Sequence, residues 1–499
     1  MRTIIVRCGR ALSILLCVSC LFLAGCGAKE EGAGTHTQPT PAQRQSRPTG
    51  KVQAALDELR SFPAEPDPAK RPLVLSRRAA DRKTWILQVL EQGYTQTAHA
   101  DPKWDPAVNA AFDAYADYSR AQAYDQFTNL VRAVTEAVAA GCNDPMLQYM
   151  QVRYKLAEQS SDQEEVALSY LKAFRALAES RYHPVLKFMA GYRAAVAARD
   201  AQTNCDRAPL LALTLFSLQD LARDTNAPVQ EVFEPASWWV DYGHGKGWLE
   251  KTFADLKPIL EKNWRSEAAF DELCGAGEVG LAWVERGGGF ANSVTEKGWS
   301  GFKRHLDQAE SYLTAAWQKN PSNAHTAYLM MQLELGQGQG RQRMELWFKR
   351  AMALSTNYYD AAKLMSFYLE PRWYGSEESA LEFARSCVTS TNWGGTVPLV
   401  LPDVHHSLAR YTQHTESPQY WHRPEVWDDI KSAYDKFYKL CPDGVGYRHN
   451  YALDAFLCGH YAEFLVQTKL FSTGTNYSYF GGQARFKQML ARAAAAKAG

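Results

Sequence analysis

Three segments of the chain carry the same pattern of apolar residues. Residues 309–321 read AESYLTAAWQKNP, residues 344–351 read MELWFKRA, and residues 380–387 read ALEFARSC. Counted from the start of each segment, small or apolar side chains stand at offsets 0, 4 and 7, which share one face of a helix. A proline at offset 12 ends the first helix. The segments start 35 and 36 residues apart, and such a period indicates stacked pairs of helices.

The pattern returns near the end of the chain. The same offsets, including the proline, are occupied by Ile430, Tyr434, Phe437 and Pro442. These repeats resemble the tetratricopeptide family, well over residues 300–470 and loosely over 105–200, although Ala327 stands where that family has a tryptophan. The resemblance implies an all-α fold, a right-handed solenoid of antiparallel helix pairs whose concave groove receives a protein or peptide partner.

A second resemblance comes from a motif between two repeats. Residues 369–376 read LEPRWYGS, and with WFKRA at 347–351 and AGCNDP at 140–145 they are similar to a bacterial domain family of unknown function, whose helical-repeat members are often exported. The resemblance implies no catalytic residue. Because Arg372 follows a proline, we expect a turn in which Arg372 donates to carbonyls or a carboxylate.

The first residues predict export. Three arginines precede an apolar run of 13 residues, Ala11–Leu23, which suits a signal peptide and is too short to span a bilayer. The run ends in Leu23-Ala24-Gly25-Cys26, which resembles a bacterial lipobox. That resemblance implies a signal peptide over 1–25, cleavage before Cys26 and a lipid on its thiol. The alternative is an ordinary cleaved signal followed by a chance cysteine.

The residues after Cys26 predict a tether. Residues 26–50 are rich in Gly, Thr, Pro, Gln and Ser, so they read as a flexible linker to a bacterial membrane, facing the periplasm or the cell surface. Without residues 1–25 the chain has 52 basic and 54 acidic side chains, a formal charge of −2. This balance predicts no nucleic-acid partner.

The remaining sequence divides into blocks. Residues 51–200 show helical periodicity and predict an N-terminal helical block, and residues 301–499 hold the repeats. Between them, residues 201–300 contain glycine-rich stretches, at Gly243–Gly247 and Gly287–Gly289, and predict an irregular, loop-rich junction. A second loop-rich stretch is predicted over residues 390–425.

Familiar catalytic motifs are missing from the sequence. It has no His-Glu-x-x-His, no Gly-x-Ser-x-Gly and no phosphate-binding loop. Histidines and two cysteines concentrate after residue 400, but their spacing does not aim them at one ion, so we predict no metal and no cofactor. Repeat phasing puts Cys441 and Cys458 at opposite ends of a helix, so we expect this pair to be unbonded, and Cys387 to be a packing residue.

Two functions follow as hypotheses. The leading one is a lipid-anchored, extracytoplasmic scaffold that binds a protein or peptide and is not an enzyme. The alternative is a carbohydrate-binding protein or hydrolase with its site in loops 230–300 and 390–425. The candidate surface residues for a ligand are Trp238, Trp239, His405 and His406, with Glu285 as a further suspect for a hydrolase.

Overall fold

A computed structural model gives the structure of the protein. It describes residues 50–62, 81–97, 100–121, 123–157, 160, 162–201, 205–243, 245–411, 418–471 and 475–498. The signal peptide, Cys26 and nearly all of the tether therefore lie outside the described residues. In the described part the regular structure is helical throughout and contains no strand, which confirms the all-α, helical-repeat class.

The described chain forms two units, which meet in sequence between Val294 and Thr295. The helices of the first unit are α1 (Gly50–Glu58), α2 (Arg82–Thr97), α3 (Asp105–Arg120), α4 (Phe127–Ala139), α5 (Pro145–Gln151), α6 (Gln163–Glu179), α7 (Pro184–Ala201), α8 (Ala208–Arg223), α9 (Val229–Tyr242), α10 (Lys246–Trp264) and α11 (Ala268–Arg286). A short 3-10 turn, Leu59–Ser61, follows α1.

The second unit begins with the repeats. Its helices are α12 (Glu296–Lys319), α13 (Ala324–Gln337), α14 (Arg341–Leu354), α15 (Tyr359–Tyr368), α16 (Glu377–Thr389), α17 (Val400–Tyr411), α18 (Pro418–Trp421), α19 (Pro424–Leu440), α20 (Arg448–Leu457), α21 (Tyr461–Thr468) and α22 (Gln483–Ala498). Consecutive helices pack in pairs, and α15 contacts both α13 and α17. Contacts of this kind are compatible with a solenoid of stacked helix pairs.

The repeated offsets lie in the contacts between these helices. All nine side chains at offsets 0, 4 and 7 are buried: Ala309, Leu313, Ala316, Met344, Phe348, Ala351, Ala380, Ala384 and Cys387. Helix ends follow local chemistry as well. The Thr295 side chain caps α12 by accepting from the Gly298 amide at 3.0 Å. Gly338, with a φ of 61°, ends α13 in the left-handed conformation that glycine adopts without strain.

The predicted irregular junction is wrong in its secondary structure, because α8 to α11 cover most of residues 201–300. The glycine stretches on which that prediction rested mark only short breaks, between α9 and α10 and after α11, and α9 and α10 continue through Pro235 and Pro258. Likewise the stretch 390–425 contains α17 and α18. Among its described residues, the non-helical positions are 390–396 and the short turn 422–423.

Two smaller predictions are confirmed. The six described cysteines are free, including Cys441 and Cys458, which lie just beyond the ends of α19 and α20. Arg372 lies in the turn after α15 and donates from Nε to the Glu370 carboxylate at 2.7 Å.

The small side chains at the helix contacts give a test of the repeat packing. Ala351 is fully buried, whereas Ala353 on the same helix is exposed. We expect Ala351→Leu to lower the free energy of unfolding by about 1–3 kcal/mol, because the added atoms must displace packed neighbours. Urea denaturation followed by circular dichroism measures the change. Ala353→Leu is the matched control and should stay within about 0.5 kcal/mol of the parent; equal effects would contradict the assigned packing face.

Candidate binding groove

Helix α8 is apolar on both of its faces. Its inner face packs on α7 through Leu210, Leu218 and Leu221, all fully buried. Thr214 on that face satisfies its hydroxyl by donating to the Leu210 carbonyl at 2.8 Å. The outer face carries Leu211, Leu215 and Phe216, which are only half-buried. An amphipathic helix would present polar residues there, so α8 has an apolar face that its own unit covers incompletely.

This outer face is the floor of a groove of about 800 Å³. One wall is the turn after α1, with Leu59 and Phe62, and the other is α10, with Thr252 and Asp255. Volumes of this size are typical of clefts that bind ligands. The lining is mainly aliphatic and aromatic, and the polar groups lie at the edges.

Two tryptophans close one end of the groove. The Trp248 indole donates to the Trp239 carbonyl at 3.1 Å, and the two ring centroids are 5.0 Å apart. Tyr242 stacks on Trp239 at 5.8 Å. The backbone at Gly243 passes so close to the Trp248 ring that a Cβ there would lie 2.3 Å from it, so this corner requires glycine. These packed rings close this end of the groove.

The helix that carries Trp239 is fixed by a buried ion pair. Glu231, at the start of α9, is 1% exposed. It accepts from Arg120 of α3 at 2.9 Å and from Arg82 of α2 at 2.7 Å. Removing one partner of such a pair leaves an uncompensated buried charge, which costs several kcal/mol. The network therefore determines where α9 and its tryptophan can lie.

The charged groups at the rim are already paired within the protein. Arg60 contacts Asp57 and Asp206, and Lys251 contacts Asp255 at 2.7 Å. The Gln219 amide donates to the Asp255 backbone carbonyl at 3.2 Å. These pairs are solvent-exposed, so they contribute little to stability. The groove thus offers an apolar contact surface, and the charged side chains at its rim already form ion pairs within the protein.

The structure places the predicted ligand residues in different surroundings. Trp239 lines the groove, as described, while Trp238 is partly buried beside Tyr192 with ring centroids 5.9 Å apart. Glu285 accepts from the Lys246 ammonium at 2.7 Å across α10 and α11. His405 and His406 belong to the other unit. Neither Trp238 nor Glu285 is among the residues that line the groove with Trp239.

His405 and His406 form two buried hydrogen-bond networks among helices α17 to α20. His405 is 1% exposed; its Nδ1 contacts the Tyr420 hydroxyl at 3.0 Å and its Nε2 contacts Asp429 at 3.1 Å. His406 Nε2 contacts Asp454 at 2.7 Å. Each histidine therefore connects helices that are distant in sequence, and these networks explain both residues as structural.

The same carboxylates bind further groups. Arg385 of α16 donates to both oxygens of Asp429, from Nε at 2.9 Å and 3.0 Å and from its terminal nitrogen at 2.8 Å. The Tyr434 hydroxyl donates to Asp454 at 2.9 Å. Burial acts to raise the pKa of Asp429, but the hydrogen bonds from His405 and Arg385 outweigh it and lower that pKa. The two clusters connect five helices, α16 to α20.

Comparison with known proteins gave no match, either to a family model or to a curated protein. The two family resemblances therefore remain predictions. Within the described ranges, no group of three or more His, Cys, Asp or Glu side chains is placed to hold a metal ion. In that same part of the chain, no helix has both the length and the apolar character needed to cross a bilayer.

The floor of the groove was missed by the sequence interpretation. Residues 208–223 read APLLALTLFSLQDLAR, in which leucine, alanine and phenylalanine occupy every face of the helix. Such a helix is normally buried all round, and this composition could have been recognised. The wall formed by the turn after α1 could not have been recognised from the sequence, because that turn is about 150 residues away from α8 along the chain.

The two histidines should respond to pH in opposite directions. Burial lowers the pKa of His405, and its bond to Asp429 only partly opposes this. Burial also acts to lower the pKa of His406, but the Asp454 carboxylate outweighs it and raises that pKa. The protonated form of His406 therefore stabilises the fold below the unfolded pKa of about 6.5, and this is lost as pH rises through the folded pKa.

We therefore expect His406→Gln to cost more stability at about pH 6 than at about pH 8.5. His405→Gln should cost less stability at about pH 6 than at about pH 8.5. Below about pH 6.5 the unfolded state binds a proton at His405 that the folded state does not bind, and this already destabilises the parent protein. Urea unfolding at several pH values measures both. The neighbouring residues serve as each other's control, and parallel trends would contradict the assignment of opposite shifts.

Proposed function

We propose that this protein is a lipid-anchored, extracytoplasmic, helical-repeat scaffold that binds a protein or peptide partner and has no catalytic role. The observation that carries the proposal is the apolar outer face of α8, which lies half-covered at the floor of an 800 Å³ groove. Exposed apolar surface in a soluble unit is unfavourable unless something covers it, so such surfaces mark interaction sites.

The chemistry of the lining supports binding rather than catalysis. Leu211, Leu215 and Phe216 supply no proton donor, nucleophile or metal ligand. Completing the burial of each half-exposed side chain contributes roughly 1 kcal/mol, so several anchors together support a useful affinity. Hydrolases need carboxylates or histidines that converge on a substrate, and the rim acids here are paired with Arg60 and Lys251.

The anchor in the proposal rests on the sequence. The charged start, the apolar run and Cys26 occur in the order of a lipoprotein signal. A tether of about 24 residues, rich in Gly, Thr, Pro and Gln, gives a reach of roughly 25–30 Å from the membrane surface. A scaffold held at that distance can meet partners that are themselves in the envelope.

Site-specific photocrosslinking tests the binding role. Ala208 is exposed at one end of the groove, and Leu346 is a half-exposed leucine in the other unit. We expect a benzophenone amino acid at position 208 to give a discrete protein adduct in intact cells, and one at 346 to give none. Leu215→Gln should reduce the adduct at least about fivefold, because it removes a central apolar anchor. Absence of any adduct specific to position 208 would overturn the proposal.

Metabolic labelling tests the anchor. We expect the protein to incorporate radiolabelled palmitate and to sediment with membranes, and Cys26→Ser to abolish both, because the thiol is the acyl acceptor. Cys205→Ser, which changes a buried cysteine of the first unit, is the control and should keep the label. Labelling that survives Cys26→Ser would contradict lipidation at this position.

A further inference from the structure

We infer that the occupant of the groove is an amphipathic α-helix about three turns long, laid along the outer face of α8. The inference rests on the proposed binding function and names the kind of partner segment that the groove receives. It follows from the arrangement of the floor, from the hydrogen-bonding groups of the walls and from the charges at the rim.

The floor has the relief of a helix-packing surface. Its outward residues form two parallel rows in which the residues are four apart. One row is Ala208, Ala212 and Phe216, and the other is Leu211, Leu215 and Gln219. The first row starts with two alanines, both exposed, beside a row that starts with two leucines. A furrow of small residues next to a ridge of large ones is what allows a second helix to insert its own ridge.

The length of the floor sets the length of the occupant. From Ala208 to Gln219 the helix advances 11 residues, or roughly 16 Å at 1.5 Å per residue. An antiparallel or parallel helix of about 11–12 residues covers this distance with apolar side chains at i, i+3, i+4 and i+7. The tryptophan corner at one end limits further extension.

The walls favour a helix over an extended peptide. An extended segment must pair its backbone N–H and C=O groups, and the described part of this unit offers helices and short turns but no strand edge. The lining supplies only a few polar groups, of which Gln219, Lys251 and Asp255 are already hydrogen-bonded. A helix satisfies its own backbone and needs only the apolar contact that the groove provides.

The rim charges complete the argument. Arg60 is paired with Asp57 and Asp206, and Lys251 with Asp255, so each cation at the rim already has an acidic partner and the named groups together carry a formal charge of only −1. Binding then depends on apolar contact and little on long-range attraction. We expect the affinity to change less than about threefold between about 0.05 and 0.5 M salt.

The test uses the full-length protein in lipid nanodiscs, so that no detergent competes for the groove. The probe is a dye-labelled, stapled peptide of about 15 residues with leucines at i, i+3, i+4 and i+7 and glutamine or serine elsewhere. A peptide of the same composition with alternating leucines represents an extended ligand, and laurate represents an acyl chain. Fluorescence anisotropy measures direct binding and competition.

We expect the helical peptide to bind at micromolar concentration and the alternating peptide to bind at least about tenfold more weakly. Leu215→Gln should weaken the helix about tenfold, since it places an amide in the floor. Ala212→Leu should also weaken binding of the helical peptide about tenfold, because the larger side chain fills the furrow. The affinity for laurate should be unchanged or higher, because the substitution adds apolar surface. The matched controls Leu346→Gln and Ala353→Leu lie in the other unit and should have no effect.

Three results would overturn the inference. The first is equal binding of the two peptides, and the second is no peptide binding at all. The third is displacement of the helical peptide by laurate together with unchanged binding of that peptide to the Ala212→Leu variant. These outcomes can be distinguished from failure of the proposed binding function. A groove-specific adduct in cells with no binding of the helical probe would reject the helical occupant alone. Absence of both the adduct and the peptide binding would reject the binding function as well.

Discussion

The close approach of neighbouring helices is the constraint on which the rest of this structure depends. At the repeated contacts, alanine and cysteine side chains such as Ala316, Ala351 and Cys387 are fully buried between helices. Small side chains allow two helix backbones to come near enough for the larger residues around them to interlock. Once that spacing is set, each helix pair can bury its apolar face only by stacking on the next pair.

Polar networks add specificity to this packing. In the first unit Glu231 connects three helices through two arginines, and in the second Asp429 and Asp454 each receive a histidine and further donors. Apolar contacts alone tolerate sliding between helices, whereas a buried carboxylate loses its partners if a helix moves by one turn. The histidines that looked like candidates for chemistry act here as such connections.

The groove on α8 follows from the same helix packing, in which one apolar face of the helix is buried and the other is only partly covered. The inner face of α8 is covered by α7. The outer face has walls but no covering helix in the described chain. The proposed partner helix would complete this packing.

By itself, the sequence determined the helical class, the phase of the repeats and the separation of Cys441 from Cys458, because these depend on spacing along a single helix. The prediction of a lipobox at Cys26 also rests on the sequence alone, because it depends only on the order of residues 1–26. Tertiary structure alone decided that residues 208–286 form helices despite Pro235 and Pro258, since packing outweighs local propensity there. It alone placed Phe62 and Trp248 on either side of α8, because contacts between residues far apart in sequence leave no period to detect.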